Sequence, residues 1–127
     1  MGSEDRRGET DAELRVSLAR LDGWTVASLA GEIDILTAPG LRAHLGDLVR
    51  DHGRRPQVII DLGDVTFCDA GGLGAFVSAH RVALRRGGTV RLVVPPGRVR
   101  RLLRLANPTH DLEVHDTLND AVALGLL

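Results

Sequence analysis

The stretch Phe67-Cys68-Asp69-Ala70-Gly71-Gly72-Leu73-Gly74 places an acid, a thiol and several glycines where an apolar strand signal gives way to a helical one. Unpaired backbone N–H groups collect at a helix start, so such a junction can meet an anion or a partner. Asp69 can accept hydrogen bonds from those N–H groups, which makes it a helix N-cap, a binding residue, or both at once. Gly71 and Gly72 allow a partner's backbone or an anion to come close; equally, a helix start tolerates them at up to about 1 kcal/mol each relative to Ala. Asp69 would repel an anion, and no Lys-Ser/Thr pair completes a phosphate-binding loop. The segment therefore reads as a protein contact rather than a nucleotide pocket.

A second acidic group stands in Gly31-Glu32-Ile33-Asp34. Asp34 falls in a strand-to-helix loop, and it shares one sheet end with Asp69 if the two strands run in the same direction. Glu32 and Asp34 can also be ordinary polar loop residues. Two close carboxylates suit general acid/base chemistry, but no His or nucleophile accompanies them in the segment. Cys68 occupies an apolar position and reads as a small buried hydrophobe, with a reactive thiolate the lesser alternative. His44, His52, His80, His110 and His115 show no metal-ligand spacing, so they read as surface or satisfied core histidines, with no metal and no cofactor implied. Arg98, Arg100, Arg101 and Arg104 alternate with Val99, Leu102 and Leu103 at amphipathic spacing, which describes a solvated helix face better than a phosphate-binding patch.

These residues need a frame to hold them. At 127 residues the chain is one domain, able to bury about two-thirds of the surface that its unfolded form exposes. A net charge of −1, with two Phe, one Trp and no Tyr, gives no overall attraction to nucleic acid or anionic lipid and almost nothing for bases to stack on. All sixteen basic residues are Arg, which we attribute to coding bias. A single Cys, no signal peptide and no apolar run of about 18 residues describe a soluble chain without membrane insertion, in a reducing compartment, by default the cytoplasm.

Residues 1–13 are polar and lack apolar periodicity, so they are expected to form a mobile tail before a domain over 14–127. Leu14 to Leu21 alternates, Asp22-Gly23 marks a tight turn, and Trp24 to Ala30 follows with β-type residues, which predicts a hairpin. Thr37 supplies a capping hydroxyl, Pro39 suits a first helical turn, and Leu41, Leu45, Leu48 and Val49 carry a helix to about His52. Val58-Ile59-Ile60, between Pro56 and Gly63, predicts a central strand covered on both faces. Leu73, Phe76, Val77, His80 and Leu84 trace one face of the next helix, with Arg81, Arg85 and Arg86 towards its last turn and Gly87-Gly88 stopping it. A strand over 89–94 and a short helix with Val99, Leu102, Leu103 and Leu105 follow, interrupted by Asn107-Pro108. A brief strand over 112–115 and a C-terminal helix capped by Asp116 or Thr117 complete the chain. The order β-β-α-β-α-β-α-β-α gives an α/β domain, with a mostly parallel mixed sheet after an initial hairpin and about four helices.

Together, Gly31-Glu32-Ile33-Asp34, Ile60 to Phe67 and Asp69-Ala70-Gly71-Gly72-Leu73 resemble the STAS family, the domain of anti-sigma factor antagonists and of the cytoplasmic tails of sulphate transporters. The resemblance covers roughly 14–124. It implies the same α/β layout and a non-enzymatic antagonist that binds an anti-sigma factor, of the serine-kinase type, and frees its sigma factor. It further implies a partner-binding surface of Glu32, Asp34, Asp69, Ala70, Gly71 and Gly72. In the family the Ser directly before the Gly-Leu pair is phosphorylated by the anti-sigma kinase, which ends binding. Here that position is Gly71, without a hydroxyl, and neither Thr66 nor Ser78 occupies it. Loss of the hydroxyl also admits a STAS subunit or scaffold of another assembly, such as a lipid-transport ATPase complex or a stressosome-like particle. A small anion- or nucleotide-binding enzyme is the remaining alternative, and it lacks a complete catalytic constellation.

Overall fold

A computed structural model describes residues 14–106 and 112–124. The tail expected over 1–13, Asn107-Pro108 and His110 lie outside the described residues. The elements run β1 (Leu14–Leu21), β2 (Trp24–Ile33), α1 (Ala38–His52), β3 (Gln57–Cys68), α2 (Ala70–Arg85), β4 (Thr89–Val93), α3 (Arg98–Ala106), β5 (Glu113–His115) and α4 (Leu118–Leu124). They form one five-stranded sheet in the order β1-β2-β3-β4-β5, antiparallel between β1 and β2 and parallel thereafter. The hairpin turns on Asp22 and Gly23, with φ of 52° and 85°, the paired positive values that match the twist of the flanking strands.

The sheet carries a core on each face. On one, Leu41, Leu45 and Val49 of α1, Phe76 and Ala79 of α2 and Leu103 of α3 close over Leu29, Val58, Ile60 and Leu92. On the other, Ala121 and Val122 of α4 cover Trp24, Val26, Ile59 and Val93. Arg91 reinforces this second face. Its guanidinium stacks 4.8 Å from the Trp24 ring, Nη1 donates to Ala121 O at 2.7 Å, and Nε lies 3.0 Å from Glu113 Oε1 as an ion pair without hydrogen-bond alignment.

Several expectations change. The strand predicted to stop at Gly63 continues to Cys68, because β3 takes up extra residues opposite β2 at register shifts between Ser28 and Ala30 and between Gly31 and Glu32. The bulged segment hides the period of two that marks a strand, and Asp61 Oδ1 accepts from Gly63 N at 2.8 Å to hold it. Glu32 accordingly lies in β2 rather than in a loop. The Thr37 hydroxyl makes no cap bond to α1; it accepts from Asp34 N at 2.9 Å and donates to Glu32 O at 3.1 Å. On α2 the buried face is Gly72, Ala75, Phe76, Ala79, His80 and Ala83, and Leu84 is 55% exposed. The buried positions centre on Ala79 and Ala83, and each four-residue step from Phe76 through His80 rotates about 40° further, so Leu84 falls past the edge of the buried face. Among the described side chains of α3 only Leu103 is buried, with Leu105 81% exposed. Thr117, not Asp116, caps α4, accepting from Asp120 N at 3.1 Å.

Candidate interaction surface

Strands β2 and β3 run parallel and end side by side, with Ile33 opposite Cys68. Asp69 N donates to Ile33 O at 3.1 Å, which ties the two loops that follow these strands. The acids at Asp34 and Asp69 therefore stand at one end of the sheet, as parallel strands require.

Each acid first organises its own loop. Asp34 Oδ1 accepts from Leu36 N at 2.9 Å and Thr37 N at 3.1 Å, forming an Asx-type turn that leads into α1. Asp69 is the N-cap of α2, its Oδ1 accepting from Gly71 N at 2.9 Å and Gly72 N at 3.3 Å. Among the described residues, all these bonds fall on Oδ1. The second oxygen of each carboxylate is left for a donor from outside. Both side chains are half-buried, so such a donor would meet a charge that water screens only in part.

The glycines differ in what they do. Gly72 is buried, and a Cβ there would lie 2.6 Å from both Cys68 Sγ and Ile33 Cγ2; its bare backbone lets the start of α2 sit on the strand ends. Gly71 is exposed, with an added Cβ only 3.2 Å from Asp69 Oδ1 and 3.3 Å from Ala38 Cβ. Cys68 is 1% exposed. Burial, and then the Asp69 charge, push its thiol up to about 11, so at neutral pH it is protonated and behaves as a small hydrophobe.

Sequence reasoning passed over the apolar side chains around these acids. The turn held by Asp34 presents Ile35 at 80% and Leu36 at 79% exposure, and Phe67, paired with Glu32, is 46% exposed. Ile35, Pro39, Arg42, Asp69 and Gly71 line one shallow depression. Apolar side chains rimmed by charge and left open to water mark protein contact sites. The available signal was Ile35-Leu36 itself, two large apolar residues in a tight turn that no core required.

Two of the histidines serve the fold. His80 Nδ1 accepts from Val90 N at 3.3 Å in the interior. His52, at the opposite end of α1, sits in a groove between α1 and β1, its Nδ1 2.7 Å from a Thr25 hydroxyl that also accepts from Arg20 at 3.1 Å. Burial and the Arg20 charge lower the pKa of His52, which favours the neutral ring that accepts from Thr25.

Residues 15–121 match the STAS domain as a family. The anti-sigma-F factor antagonist RsfB of Mycobacterium tuberculosis is 32% identical over 111 residues, covering 86% of this chain and 87% of that protein. The anti-sigma-B factor antagonist of Bacillus subtilis is 37% identical over 65 residues, which span 51% of this chain and only 57% of that protein. Among solved structures, an anti-sigma factor antagonist from Mycobacterium paratuberculosis superposes with a TM-score of 0.77 at 28% identity, covering 87% of this chain and 92% of that one.

Proposed function

This chain belongs to the STAS domain family, and from that premise we propose that it is an anti-sigma factor antagonist, binding an anti-sigma factor and freeing the sigma factor that protein had held. The role is regulatory and non-enzymatic, and it carries with it a bacterial, cytoplasmic setting. The observation that supports it best is the pair of anchored carboxylates, Asp34 and Asp69, at one sheet end beside exposed Ile35 and Leu36. An apolar contact between two fixed charges gives a partner both affinity and register. Glu32, Asp34, Asp69, Ala70 and Gly71 form the polar part of the docking surface, while Gly72 contributes by letting α2 start where it does.

The partner is an anti-sigma factor of the serine-kinase type, and Gly71 makes this chain an antagonist that such a kinase cannot switch off at the family's acceptor position. Binding is then governed by competition and abundance rather than by phosphate at that residue.

Mixed with its cognate anti-sigma–sigma complex, the wild-type chain will release free sigma factor on gel filtration. Asp34→Asn and Asp69→Asn keep the Oδ1 acceptor of each turn and remove the charge, so both variants will melt like wild type. Each will bind the anti-sigma factor at least ~30-fold more weakly by calorimetry, the effect of about 2 kcal/mol for a charge pair broken in an interface. Failure to displace sigma from any anti-sigma factor of the host would overturn the function; unchanged affinity in both Asn variants would move the surface elsewhere.

A further inference from the structure

Along the junction of α1 and α2, Arg42, Arg81 and Arg85 line one groove together with Ser78, over Leu73 and Val77. None of these arginines has an acidic residue within ion-pair distance among the described residues. The chain as a whole is balanced, with 16 basic and 17 acidic residues, so three guanidinium groups without a counter-charge are a local concentration. Helix-dipole stabilisation accounts for Arg85 in the last turn of α2. It does not account for Arg81, a turn earlier, or for Arg42 in the N-terminal half of α1. Arg42 is held in place, its Nη2 donating to Gly74 O at 3.3 Å, and a Cβ on Gly74 would lie 3.3 Å from the same nitrogen.

The groove runs into the proposed interface, because Arg42 and Ala70 also line the depression that holds Ile35, Asp69 and Gly71. Arg81 and Arg85 stand about 6 Å apart along the helix axis, with Arg42 on the other helix. That spread suits several carboxylates on an extended chain better than one small anion. Among the described residues no aromatic side chain lines the groove, which leaves nucleic-acid bases without a stacking surface there. Half-buried Leu73 and Val77 would take an apolar side chain between the carboxylates.

We propose that the Arg42–Arg81–Arg85 groove binds an acidic, partly apolar segment of the protein partner, extending the contact made at Asp34 and Asp69. The proposal rests on the docking surface assigned above, and its test is separable from that assignment. The probe is a synthetic Glu-Leu-Glu-Glu-Leu-Glu peptide titrated into the full chain by calorimetry, with inorganic phosphate as the competing small anion. Wild type will bind the peptide, more weakly as salt rises, and Arg81→Glu with Arg85→Glu will lower that affinity at least about tenfold. Arg101→Glu with Arg104→Glu, on the exposed side of α3, will leave it within about twofold, because neither residue lines the groove. The same Arg81/Arg85 variant will weaken binding of the cognate anti-sigma factor while retaining the further loss caused by Asp34→Asn. Peptide affinity equal in the two double variants, or displacement of the peptide by millimolar phosphate, would overturn the groove assignment. Sigma release by the wild-type chain would still stand in that case.

Discussion

Incubated with ATP and an anti-sigma factor of the serine-kinase type proposed as its partner, the wild-type chain will gain no phosphate at residue 71, and Gly71→Ser will gain one. The difference is all or none, because only a hydroxyl can accept the transferred group. Residue 71 is exposed in the first turn of α2, a position where Ser is well tolerated. The tight approaches at 3.2 Å to Asp69 Oδ1 and 3.3 Å to Ala38 Cβ require neighbours to yield by a few tenths of an ångström, so Gly71→Ser will fold with a modest stability loss. Gly71→Ala carries the same steric demand without the acceptor and separates the two effects. Once phosphorylated, the Ser variant will release the partner, since about two negative charges beside Asp69 disrupt the interface by repulsion and desolvation. Intact-mass and peptide spectra read the outcome. A wild-type phosphopeptide at Thr66 or Ser78 with loss of binding would overturn the unswitched reading. Thr66 is exposed, its hydroxyl donating to Gly31 O at 3.3 Å, whereas Ser78 is half-buried in the arginine groove.

The neighbouring glycine will behave differently. Gly72→Ala places a methyl group 2.6 Å from both Cys68 Sγ and Ile33 Cγ2, and both of those residues are almost fully buried. Overpacking of this kind costs about 1–3 kcal/mol, so the thermal midpoint by circular dichroism will fall on the order of 10 °C. Gly71→Ala will fall by much less. Because Asp69 caps the same turn through Gly72 N, the Gly72 variant will also lose partner affinity. Equal midpoints for the two alanine variants would show that the start of α2 can slide away from the strand ends.

Much of this arrangement is legible in the residues. Asp22-Gly23 and the alternation on either side of it predict the hairpin, and Val58-Ile59-Ile60 predicts the doubly covered central strand because nothing polar interrupts it. The approach of Asp34 to Asp69 follows from topology alone: two parallel neighbours end at the same edge. What escaped depends on tertiary contact. The bulges that carry β3 past Gly63 break its alternation and are fixed by pairing with β2. Leu84 fits the four-residue step, yet it is exposed because the face centred on Ala79 and Ala83 has rotated away from it by the last turn. Thr37 has the residue type of a cap, but Asp34 competes for its hydroxyl. Ile35 and Leu36 escaped because a function of exposure is invisible until the turn that exposes them is built, and Arg42 because its groove partners stand on another helix.

The sole tryptophan of the chain, Trp24, is 1% exposed beneath Arg91, on the sheet face that α4 covers. The acids and arginines assigned to the partner belong to the strand ends and to the helices of the other face. The molecule thereby carries an intrinsic fluorophore in the part of the core remote from the proposed docking surface. Its emission will shift to longer wavelength when the chain unfolds and stay constant as an anti-sigma factor is titrated in. A variant found not to bind can thus be shown to be folded from its emission alone.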